Sequence, residues 1–567
     1  MKLFSPHRLA VILILFTLAS RVQASPRDEL LRLVPESMTL CVVVQDVRER
    51  FQEIRDDSFL KRLSQVPFIK VQFDSPEFLK LIQTKQKVLT DLGITTEQLK
   101  NDLLGDAIVF AYRHVPEGSP RTEEGLFLVW ARDQKLLVRV VDRINEQQKK
   151  SGELKDLIER KHRDRPYFER VMHKDGAAAK EYFFVSDHTI AFSPRENVIQ
   201  QAIERTFAPA TEVPAWSKRL EQLGLGKVLG ALLVNPRAFD EELGKQEAAE
   251  LASGKPFLKQ FRNYWKAVDS LGLYVEMTSD LEIGLALQVQ TNLIPEAGKR
   301  FFAELGTASL LWKSIPDDAL FALAPRIDFP ALVEMLQGFC DEAQRKEIAQ
   351  GLEAGLRPFL PEKTTLDSLK KGLAPNWGLW VNAPAKDDRA WAPKATFAIQ
   401  LQSTSDGTAV ETTCKNALQF LVTMLQFASK EPVRVETIKD GAIEIKSLVH
   451  PKFPTGVQPS FAVKDGYLVL ASTPETIRQF TLSKDAPALL ETPLLRISAK
   501  GWQSYLTNHR SAMTSFLESM GGGDEKTLAH QIDAVLENLK SFDQLELAAK
   551  TTKERATLIF RLKTRNP

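Results

Sequence analysis

Apolar positions recur along this chain in two periods. Helical stripes stand at Val47, Phe51 and Ile54, spaced i, i+4, i+7, and at Phe329, Leu332, Val333, Leu336 and Phe339. Each spacing puts one apolar face on an amphipathic helix. Shorter apolar runs separated by turn residues predict strands. They include Leu40–Val44, Tyr182–Val185, Thr189–Phe192, Leu271–Met277, Ser460–Val463, Tyr467–Ala471, Leu545–Ala549 and Ala556–Lys563. Strands in runs, several joined as hairpins, with helices between them, predict an α+β fold with largely antiparallel sheets and packed helices.

The same landmarks occur twice in the same order, as a long internal repeat would give. Pro35-Glu36 leads into Leu40–Val44 and Asp46, and Pro316-Asp317 leads into Leu320–Leu323 and Asp328. In each case the Asp is placed to cap a following helix. The hairpin Tyr182–Phe192 runs into Ser193-Pro194-Arg195-Glu196, and the hairpin Ser460–Ala471 runs into Ser472-Thr473-Pro474-Glu475. Ser193 and Thr473 are expected as N-caps with Pro at the first helical position, and Ser193 with Glu196 fits a capping box. Asp465-Gly466 is a strong hairpin-turn signal. A third landmark closes each copy, at Leu271–Gln290 and at Leu545–Lys563. The chain is therefore expected to hold two tandem, internally duplicated halves, residues 25–300 and 310–567, with a boundary near Asn292 to Pro316. Lys149 to Arg165 is densely charged and is expected as a solvated helix end or loop, and Glu241 to Lys259 as an exposed helix.

Residues 1–24 read as an export signal instead of a structural element. Lys2 and Arg8 precede the apolar stretch Leu9–Leu18, and Val22-Gln23-Ala24 supplies small or medium residues before a cut. Cleavage is expected between Ala24 and Ser25. That makes the protein exported, periplasmic or extracellular, with an uncleaved N-terminal anchor as the lesser alternative. No later run approaches the ~18 consecutive apolar residues of a spanning helix.

Composition narrows the classes further. The 567 residues are 43% apolar and 26% charged, near the globular average. Removing Lys2, Arg8 and Arg21 with the signal takes the formal charge from +2 to −1, which leaves no basic field for nucleic acid. Three Cys exclude a disulfide scaffold. Cys41, Cys340 and Cys414 fit no metal or redox spacing and are expected as buried free thiols, with a Cys340–Cys414 disulfide as the alternative.

Local motifs for catalysis do not emerge. The eight His (His7, His114, His162, His173, His188, His450, His509 and His530) never fall three or four residues apart, so no helix supplies paired metal ligands. His173 and His188 could meet across a hairpin, and Asp187 stands beside them. Gly224 to Gly230 precedes a strand instead of following one, so it is expected as a turn and not a phosphate cradle. Ser368-Leu369-Lys370-Lys371 lacks the companion motifs of penicillin-interacting enzymes. His162-Arg163-Asp164 copies three letters of a kinase loop and nothing else. Trp377, Trp380 and Trp391 cluster, but Trp377 and Trp380 are an odd number apart and face opposite sides of one strand. Packing is the expected role of at least one.

The opening L-V-P-E-S-M-T-L-C-V-V-V-Q-D-V, the helix starts Asp57-Ser58-Phe59-Leu60 and Ser75-Pro76-Glu77-Phe78, and Leu103-Leu104-Gly105-Asp106-Ala107 together resemble an uncharacterised family, a domain of unknown function. Its members are exported bacterial proteins abundant in planctomycetes. No catalytic residue comes with the resemblance, and no cofactor is expected. The reading of the whole is a non-catalytic binding or envelope-associated module with an unknown envelope ligand or protein partner. The alternative is a cryptic hydrolase whose site is assembled from distant segments.

Overall fold

The computed structural model describes residues 25–565, apart from 51–62, 65, 116–122, 175–176, 210–211, 253–256, 363, 385–389, 429–432, 452, 483–490, 520 and 522. The export signal and the Asp57–Leu60 helix start lie outside the described residues. The fold is α+β, and every paired strand ladder is antiparallel. Two compact units are formed. The first contains the described residues up to Glu49 together with Val88–Gly226; the second contains Arg50, the described residues to Lys87, and Lys227 onward.

The first unit holds β1 (Leu40–Gln45), β2 (Ala107–Arg113), β3 (Glu124–Trp130), β4 (Leu154–His162), β5 (Arg165–Lys174), β6 (Ala177–Ser186) and β7 (Thr189–Ser193). Their pairing order is β1-β2-β3-β7-β6-β5-β4. Ser25 opens the first helix, Pro26–Leu33, by accepting a hydrogen bond from the Asp28 amide at 3.2 Å. One sheet face is lined by small side chains: Cys41, Ala107, Val109, Ala111 and Ala191 are all fully buried. Against it pack the helices Pro26–Leu33, Glu196–Arg205 and Ala215–Gln222, through Leu30, Leu31, Ile199, Ile203, Trp216 and Leu220. The helix Gln134–Ser151 covers one end of the opposite face, where Leu136, Leu137 and Val140 meet Val185 and Ile190.

The second unit holds β8 (Gly230–Val234), β9 (Val268–Met277), β10 (Leu281–Val289), β11 (Phe321–Leu323), β12 (Leu373–Asn382), β13 (Lys394–Leu401), β14 (Arg434–Asp440), β15 (Ile443–Val449), β16 (Ser460–Lys464), β17 (Tyr467–Ala471), β18 (Thr492–Ser498), β19 (Phe542–Thr551) and β20 (Arg555–Thr564). Within it, β11-β12-β13-β17-β16-β15-β14 repeats the pairing order of the first unit. The runs β8-β9-β10 and β18-β19-β20 repeat each other and are joined by β10 pairing with β20. That pairing draws the hairpin closing the first sequence half into the second packing unit.

Two local expectations need correction. The helix after Pro194 begins at Glu196 with Arg195 as its N-cap. The Ser193 hydroxyl instead donates to the Gly125 carbonyl at 2.6 Å and accepts from the Arg195 amide. At the second site Thr473 does cap, accepting from the Thr476 amide, with Pro474 first in the helix. The charged stretch after Lys149 is not a solvated helix end throughout; it contains β4, which pairs only with β5 among the described residues. Its Lys155, Asp156, Glu159, Arg160 and Lys161 are the charged residues typical of a strand at a sheet margin.

Candidate functional site

Strand register aligns aromatic residues from the first unit into a row. Phe110 on β2 lies opposite Phe127 on β3, Phe127 opposite Phe192 on β7, Phe192 opposite Phe183 on β6, and Phe183 opposite Phe168 on β5. Directly opposed residues sit ~5 Å apart at Cβ, so these rings form one continuous surface. Its far end is closed, with Phe183 buried and stacked on Phe168 at 5.1 Å. Its near end is open: Phe110 is 43% and Phe127 40% exposed. A strand buried on both faces reads as a continuous apolar run, whereas a half-solvated one alternates. The β2 sequence Ala107-Ile108-Val109-Phe110-Ala111 and the β3 sequence Leu126-Phe127-Leu128-Val129 are continuous. The sequence is that of a covered face, and the near end of the face is bare.

A cavity of about 620 Å³ opens over this end, lined by Phe110, Tyr112, Phe127, Phe192, Pro194 and Arg195, with Glu123, Glu124 and Gly125 completing it. Gly125 shapes the floor. It lies opposite Tyr112, and a Cβ there would stand 3.8 Å from the Phe110 ring, in space now open. The volume lies within the ~300–1,000 Å³ of small-ligand sites, which are mostly apolar with a few placed polar groups.

Those polar groups are largely committed to one another. Glu124 pairs with Arg113 at 3.0 Å and accepts from Asn197 at 3.0 Å. The Tyr112 hydroxyl hydrogen-bonds the Glu123 carboxylate, which holds the phenol proton above its ordinary range. Arg195 is half-buried, and its Nε donates to the Glu123 carbonyl at 3.2 Å. Arg195 makes no ion pair among the described residues.

The residues singled out from sequence fall elsewhere and are not brought together. His173 sits on β5 opposite Ala178, while His188 lies in the β6–β7 turn, the length of β6 away. His188 stacks on Trp130 at 4.9 Å, with its Nδ1 2.9 Å from the Ala131 carbonyl. Asp187 takes a left-handed turn conformation, φ 48°, as the hairpin requires. Of the His162-Arg163-Asp164 triplet, His162 ends β4 and contacts Glu204 at 3.0 Å, and Arg163-Asp164 form the β4–β5 turn. Ser368 lies in the short helix Leu366–Gly372, where its amide bonds the Thr365 cap. Gly224 is a left-handed turn before β8. Trp380 is 4% exposed core, Trp377 lies between Phe329 (6.1 Å) and Phe397 (6.3 Å), and Trp391 packs on Phe516 (4.8 Å). All three Trp therefore pack. The three cysteines are free thiols. Cys41 is buried and its thiol is pushed far above its usual range, which removes the thiolate a nucleophile needs. Cys340 and Cys414 are only half-buried, contrary to expectation. Among the described residues no group of three or more His, Cys, Asp or Glu could hold a metal ion. No described helix is long and apolar enough to cross a membrane.

One further polar cluster stands in the second unit. The Arg561 guanidinium meets Glu282 at 2.7 Å, Glu491 at 3.2 Å and Glu546 at 3.6 Å, and Lys563 meets Glu546 at 2.9 Å. The Tyr274 hydroxyl donates to Glu282 at 2.6 Å across Gly284, where any Cβ would collide with the Tyr274 ring at 2.1 Å. Arg561 and Glu282 are register partners across β20 and β10. The acids here are met by cations, so the cluster fastens the joint between the two closing hairpins and leaves no open ligand position.

No family model matches the chain, and no curated protein matches it. Two solved structures, crystal forms III and I of TP0453, match with TM-scores of 0.22 and 0.21 at 10% identity. The matches cover 48% and 47% of this chain and 84% and 80% of those chains. Likeness at this level carries no argument about fold or function.

Proposed function

We propose that this is a non-catalytic, exported binding module, built by duplication of one α+β unit, that holds an apolar ligand on the Phe110–Phe127–Phe192 face. The exposure of two large Phe side chains in one register row carries the reading. Fully burying a Phe side chain is worth roughly 1.5–3 kcal/mol, and here two rings hold back part of that until something covers them. The repeated strand order supports duplication, and the Lys2–Ala24 pattern supports export.

The test is titration with the uncharged apolar dye N-phenyl-1-naphthylamine. The wild-type chain should show one saturable site that a Phe110→Ser/Phe127→Ser variant lacks, with the same circular dichroism spectrum. Identical titrations of the two proteins would refute the site. Export predicts Ser25 as the N-terminus of protein recovered outside the cytoplasm, read by mass spectrometry; an intact Met1 would establish the anchored alternative.

A further inference from the structure

We infer that the ligand of this face is an anionic amphiphile: an acyl or comparable apolar chain laid over the Phe row, with its carboxylate or phosphate on Arg195. The inference rests on the reading that the Phe face binds an apolar ligand, and adds the head group. Three observations carry it. The cavity floor is apolar and open where Gly125 withholds a side chain, which suits a flexible chain. Among the described residues Arg195 is the only cation lining the cavity. Its Nε is anchored on the Glu123 carbonyl, which leaves the two terminal amino groups without an ion-pair partner among the described residues. A guanidinium held by one nitrogen presents the others as a fork, the geometry that carboxylates and phosphates accept.

The acids of the rim do not cancel this charge equally. Glu124 is neutralised by Arg113 and does not compete. Glu123 accepts from the Tyr112 hydroxyl and places its carboxylate near the opening. It therefore opposes an anionic head in part, and its removal should favour the ligand. That opposition gives the inference a signed test on each side of the cavity.

The experiment is fluorescence titration of the full chain with dansyl-undecanoate and with its uncharged methyl ester. The acid should bind saturably. Arg195→Gln should weaken it about tenfold, as loss of one charge-assisted contact does. Glu123→Gln should tighten it by a smaller factor, and the ester should bind wild type and Arg195→Gln alike. Gly125→Val, which fills the floor, should abolish binding of both probes. Competition by phosphatidylglycerol vesicles but not by free laurate would assign the head group to a lipid surface; competition by laurate alone would assign it to a free amphiphile. Equal binding of acid and ester, with Arg195→Gln silent, would overturn the head-group assignment while leaving the apolar site standing. Failure of both probes to bind wild type would overturn both readings.

Discussion

Phe127 and Phe397 hold the same place in two sheets of one strand order, and their surroundings differ. The first row runs Val42, Phe110, Phe127, Phe192, Phe183, Phe168; the second runs Leu323, Leu379, Phe397, Leu470, Phe461, Lys446, with the same strand-to-strand register. Beside Phe397 stands Trp377, capped in turn by Phe329 of the helix Phe329–Gly338. The position matching Trp377, one pair along from the row, is Ile108. A smaller side chain there leaves Phe127 without a ring over it. Around Phe397 and Phe461 the second row is covered by its own chain, although Leu470 between them is 42% exposed, and at Phe110 and Phe127 the first row keeps an apolar surface open. The same strand order can thus be packed over in one place and left open, as the proposed site, in the other, according to one bulky neighbour.

The largest effect expected from this contrast is on stability. Phe397, the counterpart of Phe127 and half-buried against Trp377, should lose about 3 kcal/mol on truncation to Ala, the low end for a packed Phe. Phe127→Ala should cost under about 1 kcal/mol, since much of its ring already faces water. Urea denaturation followed by circular dichroism measures both, and comparable losses would erase the distinction between covered and open rows. A smaller effect is expected at the joint between the closing hairpins. Arg561→Gln leaves Glu282 and Glu491 without their cation, and should cost roughly 1.5–3 kcal/mol. The same substitution should leave binding at the Phe face unchanged. If Arg561→Gln altered that binding, the two regions could not be treated as separate.

Much of the scaffold was legible because its signals are local. Asp465-Gly466 made its turn, with both residues at positive φ, and Thr473-Pro474 opened its helix as the capping pattern requires. Odd spacing separated Trp377 from Trp380 onto two faces. What failed was local pattern under tertiary competition. Ser193 had the letters of a cap, but the Gly125 carbonyl, 68 residues away in sequence, took its hydroxyl. β4 lacks any apolar period because both of its faces are largely exposed, so nothing in the sequence marked it as a strand. The candidate site was invisible for a different reason. Phe110, Phe127 and Phe192 are ordinary core residues on three strands, and only the β2–β3–β7 register puts them side by side. The usable hint was the unbroken apolar run of β2 and β3, which asks for cover on both faces.

The smallest effect is electrostatic and has opposite sign in the two units. In the first, burial raises the Asp28 carboxyl, but hydrogen bonds from Arg27, Ser25 and Ser217 outweigh it, and the net shift is downward from 3.8. A carboxyl lowered on folding adds stability above its unfolded pKa and loses it as pH falls through the folded value. In the second, burial holds Glu276 above 4.5 despite Arg50 at 3.6 Å. A carboxyl raised on folding contributes fully below its unfolded pKa, and that contribution is lost as pH rises through the folded value. At pH 7 Asp28→Asn should therefore destabilise by about 1 kcal/mol, and the difference from wild type should shrink on acidification below the ordinary Asp range. Glu276→Gln should change stability at pH 7 by less than about 1 kcal/mol, because removing a desolvated charge offsets the loss of its bond from the Leu229 amide. Urea midpoints for both variants at neutral and acid pH separate the two signs. Parallel pH profiles would show that the two carboxyls experience the same field, and that the contrast between the units ends at their apolar rows.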